Sequence, residues 1–124
     1  MIAPPTPSRG QNFAAGYVPR LGDVVHLDWS PVIGHEMEGP HYGLVLTPYE
    51  FNFATGLMVA APITSKLGKL SHFELEINAG KVRGAAILSG IRSLDYTVRN
   101  VQFEAAAPID LVTEANRRVR MIFP

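Results

Sequence analysis

The sequence predicts a small, mainly β fold: a strongly curved sheet or partial barrel that ends in one helix. Three observations lead there. Short apolar runs, several with an alternating pattern, recur along most of the chain. Gly, Pro and Asn punctuate them at turn-like intervals. After Pro108 the apolar spacing changes from period two to helical period.

In chain order, residues 1–16 hold Pro4, Pro5, Pro7, Gly10 and Gly16 and show no periodicity, so they are predicted to be a flexible leader before a single domain over 17–124. From Asp23 to Trp29 the chain alternates, with Val25, Leu27 and Trp29 on one face and Val24, His26 and Asp28 on the other, which predicts a half-buried strand with Trp29 in the core. Ser30–Pro40 has two prolines and two glycines, and is predicted to be a long loop that orders on binding. Gly43–Thr47 is a second strand stopped by Pro48. Leu57–Ile63 is a third, whose Pro62 is expected at an edge or a strand end because it cannot donate to a ladder.

Phe73, Leu75 and Ile77 alternate with Glu74 and Glu76 in a fourth strand, closed by the turn residues Asn78-Ala79-Gly80. Ala85–Leu88, Ile91–Leu94 and Arg99–Glu104 complete the sheet. Pro108 fits a helix start, and Leu111, Ala115, Val119 and Ile122 fall on one helical face.

Composition narrows the function classes. The 124 residues suit one domain, and 47% apolar with 18% charged residues is enough for a core. Without cysteine there is no disulfide or thiolate chemistry. Eleven basic and eleven acidic residues cancel, so any nucleic-acid site must rest on a local patch. No apolar run is long enough to span a bilayer, and no basic-then-apolar leader marks secretion, so the expectation is a cytoplasmic protein that does not enter membranes. There is no HExxH, P-loop or dinucleotide fingerprint, and the four histidines are scattered; neither a metal nor another cofactor is expected.

Several blocks taken together carry a resemblance. They are Gly22-Asp23-Val24-Val25, Asp28-Trp29-Ser30-Pro31, Gly34-His35-Glu36, Leu44-Val45-Leu46-Thr47-Pro48, Phe51-Asn52, Thr55-Gly56, Pro62-Ile63-Thr64-Ser65, Gly84-Ala85-Ala86-Ile87 and Ile91-Arg92-Ser93-Leu94-Asp95. In this order and spacing the chain resembles the MazF/PemK/Kid family of type II toxin–antitoxin toxins. The resemblance implies an SH3-like or CcdB-like antiparallel barrel, a homodimer, cleavage of single-stranded mRNA, and an antitoxin whose disordered acidic tail blocks the site. Two departures stand out. Where the family has Arg-Pro before the second strand the chain has His41-Tyr42, and where it has Asp-Gln the chain has Ser89-Gly90.

Cleaving RNA through its own 2'-hydroxyl requires a base, a group that stabilises the phosphorane, and an acid for the leaving 5'-oxygen. His41 stands in the place of the family's arginine, and an imidazole can be base, acid or cation. Thr64 matches the family's catalytic threonine and can donate to a phosphoryl oxygen. Glu36, in the loop that resembles the family's gate, is the candidate base. For substrate binding the candidates are Ser65 as a second donor, Arg92 on phosphate, a basic patch of Lys66, Lys69 and His72, and Tyr42 as a stacking platform. Two other functions remain open: an RNA- or antitoxin-binding module that has lost cleavage, and a gyrase-directed toxin of the CcdB kind, for which Met121-Ile122-Phe123-Pro124 is the only support.

Overall fold

Seven strands and two helices follow one another in the computed structural model, which describes residues 16–30, 39–66, 68 and 70–123. The strands are β1 (Asp23–Asp28), β2 (Pro40–Val45), β3 (Leu57–Thr64), β4 (Glu74–Ala79), β5 (Val82–Ile87), β6 (Arg92–Asp95) and β7 (Gln102–Ala106). Helix α1 (Tyr49–Thr55) lies between β2 and β3, a 3-10 turn (Leu88–Gly90) joins β5 to β6, and α2 (Ile109–Val119) follows β7. The predicted leader, apart from Gly16, and most of the Ser30–Pro40 loop fall outside the described residues.

One antiparallel sheet runs in the order β4-β5-β3-β2-β1-β7, and β6 pairs with the first half of β3. The sheet curls until the β4–β5 turn meets the opposite edge: a Cβ on Gly80 would lie 2.9 Å from Ala105 Cβ, and Lys81 Nζ is 3.6 Å from Glu104 Oε1. The result is the curled antiparallel half-barrel with a C-terminal helix that the sequence predicts.

The pleat supplies both faces of the sheet with apolar side chains. Val24, Leu44, Ala61, Ile63, Ile77 and Leu88 form one core with Ala115 of α2, and Val25, Leu27, Trp29, Val45, Met58 and Leu94 form another. Strand β1 is therefore buried on both sides rather than half-buried as its alternation suggests. Val24 and Val25 are both fully inaccessible. Trp29 is fully buried as expected, and it explains Gly43: a Cβ there would lie 2.8 Å from Trp29 Cζ2.

Pro62 sits inside β3, not at an edge or an end. Leu46 N–H donates to Val59 O at 2.9 Å, so residues 59, 61 and 63 direct their backbone groups toward β2. Pro62 therefore turns its nitrogen to the other side, where the partner of β3 changes from β6, which ends at the pair Ala60–Arg92, to β5, which begins at Ile63–Ala86. The missing donor falls in the gap between the two partners, which is why a central strand accepts proline there.

Helix α1 has only seven residues, too few for a periodic signal. Pro48 starts it, Gly56 at φ 72° ends it, and Asn52 anchors it. The Asn52 amide is fully buried, donates to Pro19 O (2.9 Å) and Thr47 O (3.1 Å), and accepts from Thr47 Oγ1 (2.7 Å). In α2 the most buried residues are Val112 and Ala115, with Leu111 and Val119 partly buried beside them. Val112 approaches Gly22 so closely that a Cβ on Gly22 would stand 2.8 Å from Val112 Cγ2.

Candidate functional site

His41 and Tyr42 belong to β2 itself, because the strand begins at Pro40, earlier than the apolar run suggests. Successive residues of a strand face opposite sides. The pleat thus separates the two: His41 takes the side of Leu27 and Gly43, and Tyr42 the side of Val24 and Leu44.

The β2–β3 register ends at the pair Tyr42–Ile63, and the next residues outward are His41 on β2 and Thr64 on β3. Residues so placed lie about 5 Å apart at Cα, within reach of one phosphate. Thr64 is held firmly. It pairs with Ala85, and its Oγ1 accepts the N–H of Lys66 at 3.2 Å, a bond that does not use the hydroxyl proton. Thus His41 and Thr64 are the residues next outward from the last paired residues of β2 and β3, Tyr42 and Ile63; Glu36, the third predicted catalytic residue, lies outside the described residues.

On the opposite side, Tyr42 meets His26, its partner in register on β1, ring edge to ring face at 5.0 Å. A hollow of 290 Å³ opens there at the mouth of the half-barrel. It is lined by His26, Pro40, His41, Tyr42, Ile63, Ser65, Lys81, Val82 and Arg83. Ser65 and Tyr42 are thereby in one place, with His41 at the rim. Sequence reasoning missed His26, Lys81 and Arg83. The two cations flank a turn, a position that in sequence looks like solvated surface, and only the curl of the β4–β5 hairpin carries them to β1 and β2.

The other predicted binding residues are spread out. Arg92 donates from Nη1 to Trp29 O (2.8 Å) and stacks 6.0 Å above the Trp29 ring. Arg99 Nη1 donates to Asp28 O (3.1 Å) and Ser30 O (2.7 Å), so two guanidiniums hold three successive carbonyls at the stem of the segment that contains Glu36. The other side of this stem is closed by Trp29 N–H on Gly39 O (2.9 Å). The N–H of Ser30 bonds the Asp28 carboxylate at 3.0 Å and holds its pKa below the usual carboxylate range.

His72 belongs to another hollow, lined with Ser71, Glu74 and Arg118, where its ring packs on Phe73 and its Nε2 lies 3.3 Å from Met121 Sδ. Lys66 is exposed at the end of β3, and Lys69 is outside the described residues. The proposed Lys66–His72 patch is therefore not gathered at one hollow among the described residues. No cluster of three His, Cys, Asp or Glu that could hold a metal occurs among the described residues, and no described helix is long and apolar enough to cross a membrane.

The family described as "PemK-like, MazF-like toxin of type II toxin-antitoxin system" matches residues 20–123. The chain is 30% identical over 83 residues to the endoribonuclease toxin MazF of Escherichia coli (strain K12), covering 67% of this chain and 74% of that protein. It is 28% identical over 106 residues to the endoribonuclease toxin ChpB of the same strain, covering 82% and 90%. Among solved structures, MazF (Form-I) from Deinococcus radiodurans superposes with a TM-score of 0.79 at 37% identity, across 86% of this chain and 96% of that one. A MazE-MazF complex (Form-II) from the same organism gives 0.73 at 33% identity, across 86% and 95%.

Proposed function

The chain belongs to the PemK-like, MazF-like family of type II toxin–antitoxin toxins, and from that premise we propose that it is an endoribonuclease that cuts single-stranded mRNA by attack of the RNA's own 2'-hydroxyl. The observation that supports the reading is that His41 and Thr64 follow directly on the last paired residues, Tyr42 and Ile63, of two adjacent strands.

In this mechanism Glu36 takes the 2'-hydroxyl proton. The 2'-oxygen attacks the phosphorus, and the bond to the 5'-oxygen breaks. The Thr64 hydroxyl donates to a phosphoryl oxygen as charge builds there. Protonated His41 faces the same phosphoryl group and gives its proton to the departing 5'-oxygen. The products are a 2',3'-cyclic phosphate and a 5'-hydroxyl. No metal ion takes part, and a DNA strand is refused for want of the 2'-hydroxyl. Ser65, Lys66, Lys69 and Tyr42 bind the flanking strand. Arg92 acts by holding the Trp29 carbonyl, just ahead of the segment that contains Glu36. His72, away from this cluster, serves a more distant stretch of RNA.

The protein works in the cytoplasm as a homodimer and is silenced by a cognate antitoxin through a disordered acidic tail. Supporting the partner are the MazE-MazF complexes among the similar structures. The endoribonuclease names of the relatives favour RNA cleavage over a gyrase-directed action. Replacement of the family's Arg-Pro by His41-Tyr42 favours the second reading, a module that binds RNA or antitoxin without cutting. Incubation of the purified protein with a long unstructured RNA in EDTA decides between them. Fragments ending in cyclic phosphate support the proposal; intact RNA that stays bound supports the module.

A further inference from the structure

We propose that Arg99 is a positioning residue for the proposed cleavage: from the turn between β6 and β7 it holds the end of β1, and through β1 it fixes the start of β2, where His41 stands. This inference rests on the endoribonuclease reading and adds to it a residue outside the candidate catalytic and binding set.

The end of β1 runs past its neighbour in the sheet. The β1–β7 ladder stops at the pair His26–Gln102, whereas β1 continues to Asp28. Beyond that pair Arg99 takes the place of the missing strand. Its carbonyl accepts the N–H of Asp28 at 3.0 Å, and its Nη1 donates to Asp28 O (3.1 Å) and Ser30 O (2.7 Å). The carbonyl between them, Trp29 O, receives Arg92 Nη1 at 2.8 Å. Backbone groups without partners are costly, so these bonds set the course of residues 28–30. The guanidinium is itself fixed: Arg99 is half-buried, and its Nε is shut inside with no hydrogen-bond partner among the described residues.

The start of β2 depends on this end of β1. Pairing of β2 with β3 ends at Tyr42–Ile63, so among the described strands β1 alone sets the register of Pro40 and His41. Leu27 faces His41, Asp28 faces Pro40, and Trp29 N–H donates to Gly39 O at 2.9 Å. Without Arg99, residues 28–30 lose their outer partner. The bond from Trp29 to Gly39 then opens more often, and His41 loses its fixed place. A shift of about 1 Å at a reacting group costs on the order of a hundredfold in rate.

The test compares the full-length wild type with Arg99→Met and Arg99→Lys. Arg99→Met should lower kcat on cleavable RNA about a hundredfold and leave KM within about threefold of wild type. Its affinity for a single-stranded 2'-O-methyl RNA, which binds but cannot be cut, should be unchanged. Amide hydrogen exchange at Trp29 should quicken at least about tenfold, while exchange in β4 and β5 stays as in wild type. Arg99→Lys keeps a cationic donor without the rigid fork and should recover part of the lost rate. A wild-type kcat in Arg99→Met would overturn the proposal. A raised KM with kcat kept, and a slope of log K against log salt reduced by about 0.7, would overturn it by placing Arg99 on an RNA phosphate. Exchange that quickens equally in every strand would overturn it too, as the mark of a residue that only supports the fold. In each of these cases an active wild type leaves the endoribonuclease standing; a wild type that cuts no RNA fells both proposals together.

Discussion

A Cβ placed on Gly84 would stand 2.2 Å from the carbonyl oxygen of Thr64. Strand β5 thus presses against β3 at the residue to which the chemistry is assigned, and only glycine allows the approach. Gly84→Ala must push the Thr64 backbone away from His41. The expected cost is about 1–3 kcal/mol of stability, typical of an overpacked interior, together with a loss of cleavage greater than tenfold. Urea unfolding and single-turnover cleavage measure the two. Wild-type turnover in a folded Gly84→Ala protein would show that the position of Thr64 is unimportant.

His41 is the residue on which cleavage is predicted to turn. His41→Ala should abolish cutting while RNA binding and oligomeric state remain. His41→Arg restores the family's residue and should preserve or raise the rate, since a guanidinium can stabilise the same phosphorane. An inert wild type with an active His41→Arg would make this chain a disarmed toxin. Equal rates in His41→Ala and wild type would refute the assignment.

Asn52 ties α1 to the segment before β1 through Pro19 O, and to the end of β2 through Thr47. Asn52→Ala should cost about 2–3 kcal/mol, because buried carbonyls and a hydroxyl lose their partner. Chemical denaturation reads this directly. A change below about 0.5 kcal/mol would mean that the site relaxes or admits water.

Glu114 on α2 accepts from Arg117 (2.7 and 3.0 Å) and Arg118 (2.6 Å), and these hydrogen bonds pull its pKa down from 4.5 to about 2. Arg118 also donates to His72 O at 3.0 Å, joining the helix to the chain ahead of β4. A carboxylate with a lowered folded-state pKa adds stability above its unfolded pKa. That contribution fades as the pH falls from about 4.5 toward about 2. Glu114→Gln should flatten the dependence of melting temperature on pH in this window and leave it unchanged above. Superimposable acid profiles for the two proteins would show that solvent screens the cluster completely.

Self-association is the fifth expectation. Phe51 (40% exposed), Leu57 (37%) and Ile109 (69%) are large apolar side chains left on the surface of a small half-barrel, and a copy of the same chain is the simplest cover for them. Sedimentation at micromolar concentration should find a dimer; a monomer throughout that range would remove it from the proposal.

The strands of this protein and its last helix are legible because each depends on local periodicity: Phe73, Leu75 and Ile77 against Glu74 and Glu76, or Leu111, Ala115 and Val119 after Pro108. Burial on one side of an element leaves its mark within a few residues. The proposed chemistry at His41 and Thr64 rests on resemblance, since a histidine and a threonine far apart in sequence carry no local signal of acting together. What tertiary structure alone decided depends on non-local contacts. Pro62 is tolerated inside β3 because two different strands share one edge of it. Helix α1 is held by the buried Asn52 rather than by helical propensity. His41 and Tyr42, adjacent in sequence, part to opposite sides once the register of β2 is set by its neighbours. Lys81 and Arg83 reach His26 only because the sheet curls until Gly80 packs on Ala105, a closure governed by packing across the barrel and written in no single stretch of the chain.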